Sequence, residues 1–101
     1  EQLRPHVQLL SDVADTYLMA YPNAGLPNDL GEYDELPETT AALTRVWAEN
    51  RRINALGGCC GSTPAHIAAM AEAVAGLAPR VPPAITPEMR LAGLEPFSIA
   101  A

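Results

Sequence analysis

Asn54-Ala-Leu-Gly-Gly-Cys-Cys-Gly-Ser-Thr-Pro-Ala-His66 is the stretch on which the reading of this chain turns. An apolar run, Ile53 to Leu56, stops at Gly57 and Gly58. The chain's only two cysteines, Cys59 and Cys60, follow side by side, and Gly61, Ser62, Thr63 and Pro64 lead into a helical pattern. This is the order of a strand, a tight loop and a helix, with Thr63 as N-cap and Pro64 at the first helical position. Function in α/β folds gathers at the carboxyl ends of strands, and that is where this loop puts two thiols. Thiolate sulfur is a metal ligand, and zinc binds it at about 2.3 Å. Gly57, Gly58 and Gly61 leave room for backbone and metal to approach, and the helix beyond Thr63 turns its positive dipole end toward the sulfurs. A disulfide between neighbouring cysteines would close a strained ring. A structural zinc site takes four ligands, usually as two spaced pairs, and here there is one unspaced pair, with His6 and His66 as the only imidazoles. From the residues alone, the pair is either part of a metal site or two small buried hydrophobes. Phosphate binding at the glycine-rich turn is a weaker reading, because no Walker pattern is present.

Working outward, residues 3 to 15 have helical spacing, with Leu3, Val7, Leu10 and Ala14 on one face, Pro5 in the first turn, and Ser11, Asp12 and Asp15 outward. His6 reads as a surface or packing residue of this helix. Thr16 to Ala20 reads as a short buried strand, and Tyr21-Pro22 ends it, since proline cannot continue a central ladder. Asn23 projects from that strand's carboxyl end, where an asparagine ordinarily caps a turn. Leu26 to Glu38 is a long acidic loop holding Asp29, Glu32, Asp34, Glu35 and Glu38. Such loops at strand ends are often functional. A second helix runs from Pro37 or Glu38 to about Asn50, with Ala42, Leu43, Val46 and Trp47 as its apolar stripe and Trp47 in a packing role. The third helix runs from Pro64 to about Ala75. Its buried stripe is Ile67, Met70, Ala71, Val74 and Leu77, and Gly76 is its terminator. His66, in the first turn, is a poor ligand candidate. From Pro79 onward the prolines give an extended linker, and Leu91 to Ile99 is apolar without a clear period.

Gly57 to Gly61, followed by Thr63-Pro64 and His66-Ile67, resembles the zinc motif of the homocysteine S-methyltransferase family. Tyr21-Pro-Asn-Ala-Gly-Leu-Pro-Asn28, Gly31-Glu-Tyr-Asp34 and the tail Arg90 to Pro96 are similar to the cobalamin-dependent branch of that family. In that branch the homocysteine domain is followed by a folate domain. The resemblance covers about Leu3 to Ile99. It implies an α/β fold, a fragment of a (β/α)₈ barrel containing its last two strands and last three helices. Residues 1–78 would belong to the homocysteine-binding barrel and 79–101 to the linker toward the folate domain. It implies zinc bound by Cys59 and Cys60 together with a third cysteine upstream of Glu1. Asn23 would lie at the homocysteine site and supply an oxygen ligand when substrate is absent; no catalytic residue beyond the metal site is implied. The implied partners are homocysteine and the cobalamin and folate domains of the same protein. Two other readings remain open: a sister methyltransferase using betaine or S-methylmethionine, and a non-catalytic binding module with a structural cysteine pair.

Composition sets outer bounds. The 101 residues are 49% apolar but only 5% aromatic, so the core is expected to be aliphatic. A net charge of −6 argues against a nucleic-acid backbone or an anionic membrane as partner. The absence of a leader pattern, of a long apolar run and of a disulfide framework gives a cytoplasmic expectation. A full barrel needs roughly 250 residues, so the chain is expected to be part of a longer protein. Two parallel strands need cover on both faces, which the rest of that protein or a second copy of this chain would provide.

Overall fold

A computed structural model describes residues 1–100. The chain runs α1 (Arg4–Val13), β1 (Met19–Ala20), α2 (Pro37–Glu49), β2 (Ala55–Leu56), α3 (Pro64–Val74), β3 (Glu88–Leu91) and β4 (Phe97–Ala100). The helix, strand, helix, strand, helix order expected from the sequence is present. β1 and β2 are parallel, with Met19 opposite Ala55 and Ala20 opposite Leu56. Their pairing continues past both strands, through Gly57 N–H to Ala20 O (2.9 Å) and Cys59 N–H to Pro22 O (3.0 Å). The two strand ends and the loops they launch are therefore held as one unit.

The core lies between this pair and the helices: Val7, Leu18, Ala20, Trp47, Ala48 and Ile53, flanked by Ala14, Leu56, Val74 and Leu77. Trp47 packs there as its lone aromatic bulk suggests. Burial along the first strand alternates, correcting the expectation of a wholly buried segment. Leu18 and Ala20 are buried, while Tyr17 and Met19 are 81% and 61% exposed. Successive strand residues face opposite ways, and the helices cover only one face.

Helix boundaries follow their local chemistry, with proline in the first turn of all three. The buried faces depart from the apolar stripes. On α2 the buried residues are Thr40, Ala41, Thr44, Trp47 and Ala48, while Val46 is 41% exposed. Thr44 can be buried because its hydroxyl donates to the carbonyls of Thr40 (2.9 Å) and Ala41 (3.2 Å) of its own helix, a local bond open to threonine. On α3, Met70 is buried, but Ile67 is 45% exposed and His66 takes its place inside. On α1, Val7 is buried as expected, whereas Leu3 and Leu10 are exposed and Ser11, expected outside, is buried.

Ser11 is inside because of Arg80, which lies in the segment expected to be an extended linker. Arg80 is 3% exposed. Its guanidinium donates to Ser11 O (2.9 Å), Ser11 Oγ (3.1 Å), Thr16 O (2.7 Å) and Ala14 O. These carbonyls belong to the C-terminal turn of α1 and the residues just after it, where helical partners run out and a cation is favoured. Arg80 N–H also donates to Ile53 O, and Asn54 Nδ2 donates to Arg80 O. The segment after α3 is thus fastened to β2 and α1. Farther on, the stretch read as extended linker contains an antiparallel hairpin, with Met89 opposite Ile99 and Leu91 opposite Phe97. Its period-2 pattern is only four residues long on each side, too short to stand out among prolines.

Candidate functional site

The site stands at the carboxyl ends of β1 and β2. The β2 loop carries Cys59 and Cys60, both exposed free thiols, with their sulfurs 3.9 Å apart. Their backbone is pinned from three sides. Cys59 N–H donates to Pro22 O, Ser62 N–H donates to Cys59 O, and Ala24 N–H donates to Cys60 O at 2.8 Å. The fourth tie is the Asn23 side chain, whose Oδ1 accepts from Cys60 N–H at 3.1 Å. The structure brings Asn23, Cys59 and Cys60 together, 37 residues apart in sequence at the Asn23–Cys60 bond.

The loop ends in the helix cap read from sequence. Thr63 Oγ1 accepts from His66 N–H, and His66 Nδ1 accepts from Thr63 N–H at 3.2 Å. His66 Nε2 lies 2.7 Å from Glu35 O. A carbonyl can only accept, so Nε2 carries the proton and Nδ1 is the acceptor. Both ring nitrogens are engaged, so His66 ties the acidic loop to the start of α3. His6 lies exposed on α1.

The acidic loop is a built structure. Asn28 organises it: its Oδ1 accepts from Leu30 N–H and Glu32 N–H (2.9 Å each), and its Nδ2 donates to Asp34 Oδ2. Pro27 and Tyr33 form an antiparallel bridge. Glu35 accepts from the Thr40 hydroxyl. The loop lays the Tyr33 side chain over Gly61, where an added Cβ would fall 2.3 Å from the tyrosine's own Cβ. Partial burial of the ring and negative charge on Cys60 and Cys59 hold the phenol above its ordinary pKa. Tyr33, Glu35 and Asn54 were not singled out in the sequence. The only signal for Tyr33 was its place in Gly31-Glu-Tyr-Asp34.

Two sulfurs bound to one tetrahedral zinc, each at about 2.3 Å, stand about 3.8 Å apart. The observed 3.9 Å fits the edge of such a site, and exposed thiols do not fit the reading as buried hydrophobes. Among the described residues no group of three or more His, Cys, Asp or Glu side chains is placed to hold a metal, so Cys59 and Cys60 are a partial donor set. A cavity of about 380 Å³ opens beside Asn23, lined also by Glu35, Thr40, Thr44 and Trp47. No helix among the described residues is long and apolar enough to cross a membrane.

Residues 1–74 match the family model described as Homocysteine S-methyltransferase. The match takes in α1, both parallel strands, α2, the thiol loop and α3. The chain belongs to the homocysteine S-methyltransferase family, whose members transfer a methyl group to homocysteine.

Proposed function

We propose that this chain closes the homocysteine-binding barrel of a cobalamin-dependent methionine synthase. The reaction moves the methyl group of methylcobalamin to the homocysteine sulfur, which has lost its proton; the carbon–cobalt bond breaks with its electron pair left on cobalt, giving methionine and cob(I)alamin. The observation that carries the reading is the pair of exposed thiols, 3.9 Å apart, at the carboxyl end of a parallel strand. Cys59 and Cys60 hold zinc through their thiolates, and a third cysteine of the longer protein completes the thiolate set. Zinc held there would supply Lewis acidity that favours the ionised form of the homocysteine thiol at neutral pH. Asn23 keeps Cys60 in place through the backbone. Its Oδ1 has a second lone pair, which makes it the candidate oxygen ligand before substrate arrives. The uncovered face of the β1–β2 pair supports completion by further barrel strands. The segments Tyr21 to Asn28, Gly31 to Asp34 and Arg90 to Pro96 favour the cobalamin branch, with cobalamin and folate domains as partners in a cytoplasmic enzyme.

The test uses the full-length protein. One zinc per chain is expected by elemental analysis, lost in Cys59→Ser and in Cys60→Ser together with methyl transfer to homocysteine. Methylcobalamin is the expected donor. Transfer only from betaine or S-methylmethionine would assign the chain to a sister enzyme, and a metal-free protein indifferent to both substitutions would leave the cysteines a structural pair.

A further inference from the structure

The cap at Thr63 does not by itself call for histidine. In a capping box the residue at the third helical position reaches back to the N-cap N–H, and glutamate or glutamine ordinarily does this. His66 does it with Nδ1, 3.2 Å from Thr63 N. What the imidazole adds is a second nitrogen on the far side of the ring. Nε2 lies 2.7 Å from Glu35 O, 31 residues away in sequence, and His66 is only 6% exposed. Glu35 is where the acidic loop meets the site. Its side chain accepts from the Thr40 hydroxyl and lines the cavity beside Asn23. It also packs on Gly25, where an added Cβ would fall 3.1 Å from Glu35 Cβ. Gly25 follows closely on Asn23, whose side chain accepts from Cys60 N–H.

We propose that His66 is a positioning residue for the substrate cavity: its Nε2–H fastens the Glu35 carbonyl to the first turn of α3 and so sets the acidic loop as one wall of the cavity beside Asn23. The proposal rests on the function given above, which makes that cavity part of the homocysteine site. A carbonyl that loses its donor in a part-buried place is drawn toward water, and Glu35 would then lift off Gly25 and open the wall. The thiol loop is tied by Pro22, Asn23, Ala24 and Ser62, and none of these bonds runs through His66. The clasp therefore acts on substrate binding and leaves the thiol pair in place.

The test compares His66→Asn with His66→Gln in the full-length protein. Asparagine puts an acceptor where Nδ1 stands, which keeps the bond from Thr63 N–H, and ends short of Glu35. Glutamine is long enough to put an amide N–H where Nε2 stands, which restores the donor to Glu35 O. In His66→Asn, amide exchange across residues 26–36 should quicken about fivefold, the loss of one hydrogen bond, and KM for homocysteine should rise by a similar factor with kcat and zinc content unchanged. His66→Gln should recover both quantities. Exchange and KM within about twofold of the unsubstituted protein in His66→Asn would overturn the clasp and leave the function standing. Equal losses of kcat, zinc content and thermal stability in both variants would also overturn it, since His66 would then serve the helix alone. An unsubstituted protein inert toward homocysteine would overturn the function, and the exchange rates would still decide whether His66 holds the loop.

Discussion

Gly61 and Gly76 have nearly the same backbone, with φ of +80° and +77°, and differ in what surrounds them. A Cβ at Gly76 meets nothing within 4 Å, whereas at Gly61 it would collide with the Tyr33 side chain. Gly76→Ala should therefore cost about 1 kcal/mol, the strain of a left-handed residue alone. Gly61→Ala carries that strain and must also lift the Tyr33 ring, so its loss should reach about 2 kcal/mol or more. Urea midpoints of the two variants compare them directly, and equal losses would show that the Tyr33 loop moves aside freely. At this scale the sequence was legible where spacing and residue type carried the signal. Gly76 as a terminator, Thr63 as a cap and the placing of the thiols at a strand end all follow from local chemistry. Tyr33 was not legible, because nothing local in Gly31-Glu-Tyr-Asp34 says that the ring crosses to Gly61. Asn23 has a generic turn-capping role in the sequence, and its bond to Cys60 N–H exists only because β1 and β2 are neighbours.

Among the elements, helix positions were readable and helix faces were not. α2 and α3 begin at their prolines, yet the buried side of α2 is built on Thr40 and Thr44, which apolar counting passes over. The hairpin β3–β4 was hidden by its brevity. The Thr63 cap of α3 should contribute about 1 kcal/mol, so Thr63→Ala should lower thermal stability accordingly, since it removes the hydroxyl that accepts from His66 N–H while leaving the Thr63 N–H bond to Nδ1 in place. Arg80 is the larger effect, because one side chain serves the carbonyls of Ser11, Ala14 and Thr16. Arg80→Leu leaves these acceptors without a donor, at an expected cost of about 3 kcal/mol. Amide exchange should quicken first in the last turn of α1 and in the segment after α3. Unchanged exchange there would mean that water substitutes for the guanidinium.

The whole molecule is a slab, 51 × 35 × 16 Å, with helices over one face of a two-stranded parallel pair. The order of elements was legible because hydrophobic runs and proline-glycine punctuation mark it. The one-sided burial was not, because it depends on which face of the strand pair the helices pack against. On the open face Tyr17, Met19 and Tyr21 are 81%, 61% and 59% exposed, one aligned row at period 2. Parallel strands are ordinarily covered on both faces, and an aligned row of large apolar side chains is an association surface. The 101-residue chain by itself should therefore self-associate. Sedimentation should give a mass above 10.7 kDa that falls on dilution. Met19→Glu puts a charge in the middle of the row, where pairing with a second copy would have to desolvate it, and should shift the balance toward monomer. Ala20 and Leu18 face the helices, so the substitution should leave the core and its thermal transition largely unchanged. A chain that stays monomeric at every concentration, with or without Met19→Glu, would show that helices on one side are enough for this strand pair.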